Sequence, residues 1–437
     1  MTYRQLLIAN ANLRHLWSAQ VISEIGDWLN NIAVLALIIE LAGPAHEGLA
    51  IAIYAVSRHL PLFFFGPIAG ITVDRAERRR VMIGADLVRA ALALGFILAI
   101  YLRSLALAYL VSAALFSIAA FFNAAKRALL PQLARSAAEI LTANALSAST
   151  TAATLAIGSA FGGFLSSVFN RETVFIINAI SFLLSALIVR RINVASRSST
   201  SSKAPTPRAF GLKDKVTLAL RRSIVELCDG WRYVRSERML SAIFIVTAGW
   251  GLGNGTARAL YSVFGARFGQ LVHSSTDFGI SVLFAAMGIG GVCGAIIARR
   301  LSAQTSLTAR LGRSLALDGA ALIAFSCMPD LWSGALVLVV REVNYAIWWT
   351  AQQTLLMQRI EDRFGGRVFA AHETLAMLAM LGSMLVAGAA ADRLGIRPVM
   401  ASAGVVITVS GALWFLLARE RRRPLRRFDD LRTNDDF

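Results

Sequence analysis

The stretch GPIAGITVDRAERRRVMIGADLVR, residues 66–89, orients the reading of the whole chain. Gly66, Pro67 and Gly70 close one strongly apolar segment. Asp74, Arg75, Glu77, Arg78, Arg79 and Arg80 then arrive in one burst, and a second apolar segment starts at Val81, carrying Asp86 and Arg89 in its first turns. Small residues let two helices approach closely in lipid. Arginines packed into a short gap between apolar runs mark a cytoplasmic loop. The stretch reads as a charged hinge between two membrane helices.

Composition agrees with a lipid solvent. Of 437 residues, 56% are hydrophobic and 16% charged, with a mean hydropathy of +0.60; soluble domains run near ~25% charged. The net charge of +18 would point to nucleic acid in a soluble protein. Here the arginines sit in short gaps between apolar runs, so no nucleic-acid partner is expected and the bilayer itself is the partner. Cys228, Cys293 and Cys327 show neither pairing nor ligand spacing. The first apolar run, from about Leu16, carries Glu24 and Asp27, and its length is that of a membrane helix, not of a cleaved leader.

A span needs about 20 mostly apolar residues. Twelve stretches qualify: 16–40, 48–72, 81–102, 105–126, 143–168, 173–190, 240–263, 278–298, 308–328, 331–356, 368–390 and 398–418. Alternate gaps hold most of the Lys and Arg, and the same sign marks both chain ends. This predicts a multi-pass membrane protein with both termini cytoplasmic. The long gap splits the chain into a bundle over 1–190, a linker over 191–239, a bundle over 240–418 and a tail over 419–437. Within the linker, Ser196 to Pro207 reads as flexible. Further on, Leu220, Ile224, Leu227, Trp231 and Val234 fall on one helical face. That face fits either the membrane surface or the underside of the bundle.

An internal repeat supports the split. AlaLeuLeuProGln at 128–132 matches ThrLeuLeuMetGln at 354–358, and the same offset pairs Gly162 with Gly388 and Arg171 with Arg397. A nearly equal offset pairs Gly70 with Gly294 and Arg75 with Arg299. The predicted fold is therefore all-α and integral to the membrane, with twelve transmembrane helices in two pseudo-symmetric six-helix bundles and substrate held between them.

At these residues the chain resembles the major facilitator superfamily, over essentially its full length. Gly70, Asp74, Arg75, Arg78 and Arg79 stand where that family carries its signature between helices 2 and 3. Glu77 replaces the family glycine, as in the macrolide-efflux-like and siderophore-exporter-like branch. AsnLeuArgHisLeuTrpSerAlaGln (12–20) and GlyAspTrp (26–28) are similar to the same branch. The resemblance implies that the hinge is a conformational gate, with Asp74 meeting a helix end or an arginine from the other half and Asp86 the basic loop. Gly158, Ser159, Gly162 and Gly163 are similar to the family's antiporter signature, with Ser159 replacing proline. The usual helix-4 arginine is missing, since 105–125 has no Arg or Lys. Helices 1, 4, 7 and 10 line the cavity in the family, so Asp27, Arg341 and Glu342 take precedence over Asp318.

Ionisable residues inside a membrane are costly and mark function by default. Counting ~1.5 Å per residue, Asp27, Arg58, Arg341 and Glu342 lie near mid-depth; Arg89 and Asp318 are shallower. Asp27 reads as a proton carrier or as a fixed partner for a cation such as Arg58, with Glu342 as a further proton site. Adjacent helical residues point about 100° apart, so Arg341 and Glu342 are not expected to pair. Trp250, Asn254, Trp348 and Gln352 join Asp27, Arg58 and Arg341 as a cavity for a broad amphipathic ligand. Gly158, Gly162 and Gly163 serve helix packing.

No nucleotide loop is present, and His15, His46, His59, His273 and His372 lack ligand spacing. No cofactor or metal is expected. The reading is a monomeric secondary exporter of small amphipathic molecules, drug-like or siderophore-like, driven by protons and not an enzyme. A lysophospholipid or other lipid transporter of the same fold is the alternative. An integral membrane enzyme, which would need a cluster better than His372 with Glu373, is the rival from another class.

Overall fold

The computed structural model describes residues 1–193, 227–301, 306–361 and 364–418. The stretch Ser196 to Pro207, the positions Leu220 and Ile224, and the tail 419–437 lie outside the described residues. Among the described residues there is no strand. A short α1 (Tyr3–Ala9) precedes α2 (Ala11–Ala42), α3 (Glu47–Arg75), α4 (Arg78–Tyr101), α5 (Leu105–Leu133), α6 (Ala137–Val168) and α7 (Arg171–Arg190). A helix over 227–236, α8, follows. Then come α9 (Arg238–Leu271), α10 (Thr276–Leu301), α11 (Leu307–Cys327), α12 (Leu331–Arg359), α13 (Gly365–Leu394) and α14 (Ile396–Leu417).

Nine of these helices are long and apolar enough to cross a membrane. The long helices outside that set, α9, α11 and α12, are the ones that carry Arg258, Asp318, Arg341 and Glu342. Polar side chains start the helices sharply: Asn10, Ser104, Ser136, Asn170, Glu237, Ser306 and Asp330 each accept a first-turn N–H. Each cap meets one of the first-turn donors that have no partner within the helix. At Asp330, the N–H and hydroxyl of Ser333 hold the loop carboxylate below its usual range.

In the first half, α2 packs on α6 and α7, α3 on α5, and α4 on α5 and α7. In the second half, α9 packs on α13 and α14, α10 on α12, and α11 on α12 and α14. The two sets are one pattern repeated, and the sequence repeats fall on equivalent helices: 128–132 and 354–358 end α5 and α12. The bundles join mainly through α6 against α10 and α3 against α13, with smaller contacts of α3 on α9, α2 on α10 and α2 on α9.

Several helices outrun the expected spans. α5 continues to Leu133 and α6 begins at Ala137, where 126 and 143 were expected. Apolar counting stops at the first charges, whereas a helix whose backbone bonds are internal runs on into the headgroup zone. α1 was not expected at all; Thr2 and Gln5 form a reciprocal capping box that starts it. The face anticipated along the linker is seated in the part that is described. Trp231 meets Phe244 edge-on (5.5 Å), and Tyr233 stacks on Phe364 (4.4 Å), so α8 lies beneath the second bundle.

The bundles touch mainly at the end bearing loops 43–46, 169–170, 272–275 and 395, here termed the closed end. A Cβ on Gly163 would lie 1.9 Å from Ser281 Oγ, so α6 and α10 meet there with no space for a side chain. Toward the arginine-rich end, which bears Arg75 and Arg78, a cavity of about 560 Å³ separates α3, α5 and α6 from Met377 of α13.

Candidate functional site

Charges from four helices converge inside the first bundle. Asp27 on α2 accepts from Arg89 Nη2 at 2.6 Å, and Arg89 Nη1 also reaches Asp86, one turn earlier on α4, at 3.3 Å. The guanidinium lies over Phe182 (4.0 Å) and Phe122 (5.6 Å), which replace its hydration by aromatic faces. Asp86 is fully buried, while the Asp27 side chain keeps 25% of its exposure. Asp27 therefore meets a cavity of about 180 Å³ that Glu24, Arg58 and Lys126 also line. Glu24 accepts from Gln20 (2.8 Å) and Thr154 (3.0 Å) and pairs with Lys126 at 3.8 Å.

This network departs from the sequence reading in three ways. Asp86 meets Arg89 inside the bundle and does not reach the basic loop. Arg89, not Arg58, is the partner of Asp27; Arg58 instead donates to Asn31 and rests on Trp28 and Phe116. Lys126, the last residue of the expected span, lies two turns inside α5, so a cation does face the cavity from that helix. Sequence distance hides the central pairing: Arg89 on α4 meets Asp27 on α2 across 62 positions.

In the second bundle Arg341 is 1% exposed and donates to Glu342 (2.8 Å), Asn254 (2.9 Å) and Asp318 (3.2 Å). The expectation that neighbours on a helix cannot pair fails here. A guanidinium is long enough to bend round its own helix to Glu342 while its other nitrogen bonds outward. Asp318, passed over because its helix was expected outside, belongs to the cluster. Trp250 stacks on Trp348 at 4.8 Å, with Tyr345 at 5.7 Å. Gln352 donates to Thr247 at 2.6 Å, and Thr247 meets His372 at 3.0 Å. Trp250, Asn254, Arg341, Trp348 and Gln352 are thus buried in the packing of this bundle, whereas Asp27 and Arg58 line a cavity.

The hinge is loose at its tip. Asp74 and Arg75 are exposed, and Asp74 makes no ion pair among the described residues. Gly70 has nothing within 4 Å of where a Cβ would stand. Glu77 gathers Arg79 (3.2 Å) and Arg80 (2.5 Å), and Arg79 donates to the Ile192 carbonyl at 3.0 Å. Arg78 is half-buried at the start of α4. Gly158 and Gly162 seat α6 directly on α2, whose Ile25 and Leu29 backbones lie within contact of them; Gly163 faces α10.

A set of contacts at the closed end went unread in the sequence. Arg171 bonds Glu40 of its own bundle and Asp277 of the other, the latter at 2.9 Å. Arg267 pairs with Glu47 at 3.5 Å across the bundles. Asp392, in the last turns of α13, accepts from the Gly48 and Leu49 N–H groups that open α3, at 2.8 and 3.0 Å. A faint signal existed, since each of these acids sits within a turn or so of a helix end.

Two repeated six-helix bundles, sealed at one end and parted at the other around buried ion pairs, define a polytopic membrane protein of the transporter class. The Major Facilitator Superfamily family model matches residues 16–381. The chain belongs to that superfamily and is a multi-pass transporter of its kind. It is 25% identical to macrolide efflux protein A of Streptococcus pyogenes over 407 residues, covering 90% of this chain and 92% of that protein. It is 32% identical to the uncharacterized MFS-type transporter YfiS of Bacillus subtilis over 197 residues, a match spanning 45% of each chain. Among solved structures it is similar to an inward-facing, unoccupied bacterial homologue of the lysosomal transporter Spinster (TM-score 0.67, 16% identity, 94% and 96% covered). It is also similar to a peptide transporter POT (TM-score 0.70, 12% identity, 94% of each chain). Those two likenesses concern the fold.

Proposed function

We propose that the chain exports small amphipathic molecules across a bacterial inner membrane in exchange for protons, working as a monomer by alternating access. The arginine-rich end and both termini face the cytoplasm, so the conformation described is inward-open. The observation that carries the reading is the Asp27–Arg89 pair: one carboxylate lines the cavity of about 180 Å³, and its cation is shared with the sealed Asp86. A proton on Asp27 removes its claim on Arg89, which then rests on Asp86 alone. Cargo entering from the cytoplasm favours release of that proton, and the outward-open state reloads it from outside. One group thus alternates between a proton and a cation, which is what obligatory exchange needs.

The remaining residues take roles around this centre. Asp74, Arg75, Arg78 and Arg79, freed by Gly70, engage the second bundle when the cytoplasmic end shuts. Gly158 and Gly162 keep α2 and α6 moving as one body. Arg341 with Glu342 and Asp318 holds the second bundle rigid, while Trp250, Asn254, Trp348 and Gln352 turn toward cargo as the bundles rock. The linker helix α8 travels with the second bundle.

Proteoliposomes loaded with a macrolide or a cationic dye, under an imposed pH gradient, test this. Gradient-dependent movement that disappears in Asp27→Asn is expected. Equal movement with and without the gradient, together with wild-type behaviour of Asp27→Asn, would refute proton exchange through Asp27.

A further inference from the structure

A third cavity, of about 270 Å³, lies beside the one of about 560 Å³ near the arginine-rich end, enclosed by α1, α2, α5 and α6. Its wall is apolar: Leu6, Leu13 and Leu16 are almost fully buried, and the Trp17 ring lies among them with its indole N–H satisfied by Thr150 at 2.9 Å. Its mouth is cationic. Lys126, Arg127, Asn144 and Ser147 line both this cavity and the central space of about 560 Å³, so the two share a rim. The opening exists because α5 and α6, though consecutive, pack little on each other, and α1 floors the gap.

The charges at the rim do not cancel. Glu24 reaches Lys126 from the Asp27 side at 3.8 Å. Arg127 is exposed and makes no ion pair among the described residues. One positive charge is left over, at the junction between a greasy pocket and a polar cavity. A neutral or cationic ligand leaves that charge unmet, and a wholly polar ligand leaves the pocket empty. Whole small-molecule sites run to ~300–1,000 Å³; at about 270 Å³ this side pocket holds part of an amphiphile, its apolar tail, with the head at the shared rim.

We propose that this pocket binds a single-chain amphiphile with an anionic head, tail among Leu6, Leu13 and Leu16 and head on Arg127 and Lys126. Within the export reading above, on which this part rests, it is the entry station for cargo of that class. The same chemistry is offered by a free fatty acid or alkyl phosphate drawn from the inner leaflet.

Purified full-length protein in nanodiscs of zwitterionic lipid is titrated with dodecyl phosphate and, separately, with dodecyltrimethylammonium. The phosphate is expected to bind about tenfold more tightly. Arg127→Gln, on the protein surface, should remove most of that preference, and Leu146→Trp, which fills the pocket, should remove binding of both. Equal binding of the two heads, or an unchanged preference in Arg127→Gln, overturns the proposal even if Leu146→Trp fails to fold. Movement of dodecyl phosphate in proteoliposomes identifies the ligand as cargo; binding without movement identifies it as a leaflet lipid, and both uphold the site. Transport that ignores the pH gradient overturns proton exchange and leaves this binding result standing, so the two readings fail separately.

Discussion

The carboxylate of Asp392, at the end of α13, caps the start of α3 by accepting the backbone N–H of Gly48 at 2.8 Å and that of its neighbour Leu49 at 3.0 Å. An anion at a helix N-terminus meets both orphan donors and the positive end of the helix dipole. Here the two partners belong to different bundles, so the cap exists only while this end is shut.

Asp392→Ala therefore weakens closure without touching either bundle's core. Removing such a cap costs about 1 kcal/mol, about fivefold in a conformational equilibrium. Cysteine labelling at Tyr54, between the bundles and toward the closed end, should rise by that order after Cys228, Cys293 and Cys327 are replaced by serine. Unchanged labelling would mean the cap does not help hold this end.

Gly163 tests the same closure sterically. Gly163→Ala places a methyl 1.9 Å from Ser281 Oγ and 2.3 Å from its Cβ, so α6 and α10 must part. The variant should populate the form open at the closed end, and adding Ser281→Gly should restore much of the original balance. Absence of rescue would place the obstruction elsewhere.

Arg89→Gln and Asp27→Asn should differ in kind. The arginine variant strands the fully buried Asp86 with no cation, and loss of one partner from a buried pair costs about 3–5 kcal/mol. Thermal unfolding in detergent should show a large drop. Asp27→Asn leaves Arg89 paired to Asp86, so it should fold near normally and lose only the response to a pH gradient. Equal thermal losses in both would contradict this division.

Arg341→Leu should unfold the second bundle by a similar margin, because it leaves Asp318 and Glu342 facing each other without a cation. Arg341→Leu combined with Asp318→Leu and Glu342→Leu should recover much of the loss, since a buried ion cluster replaced by apolar residues is often neutral. Recovered stability with no transport would separate a role in cargo handling from a role in packing.

A good part of this was legible in the chain. The apolar spans and the pairing of 128–132 with 354–358 follow from apolar run length and internal repetition, both properties of neighbouring residues. Asp27 and Arg58 could be marked as unusual because any charge inside an apolar run is costly wherever it points. Where each one points is a different matter. Arg89 finds Asp27 across 62 positions, Arg341 bends back to its neighbour Glu342, and Lys126 turns inward from a helix that the apolar count had ended.

The sequence alone determined that the chain crosses a membrane many times as two related halves, because hydrophobic length and repetition are local and survive any arrangement of the helices. Only the tertiary structure decided which charges neutralise one another, which end is shut, and that Asp392, Asp277 and Glu47 do the shutting. Those outcomes depend on the rotation and depth of each helix against neighbours far away in the chain, and packing sets both.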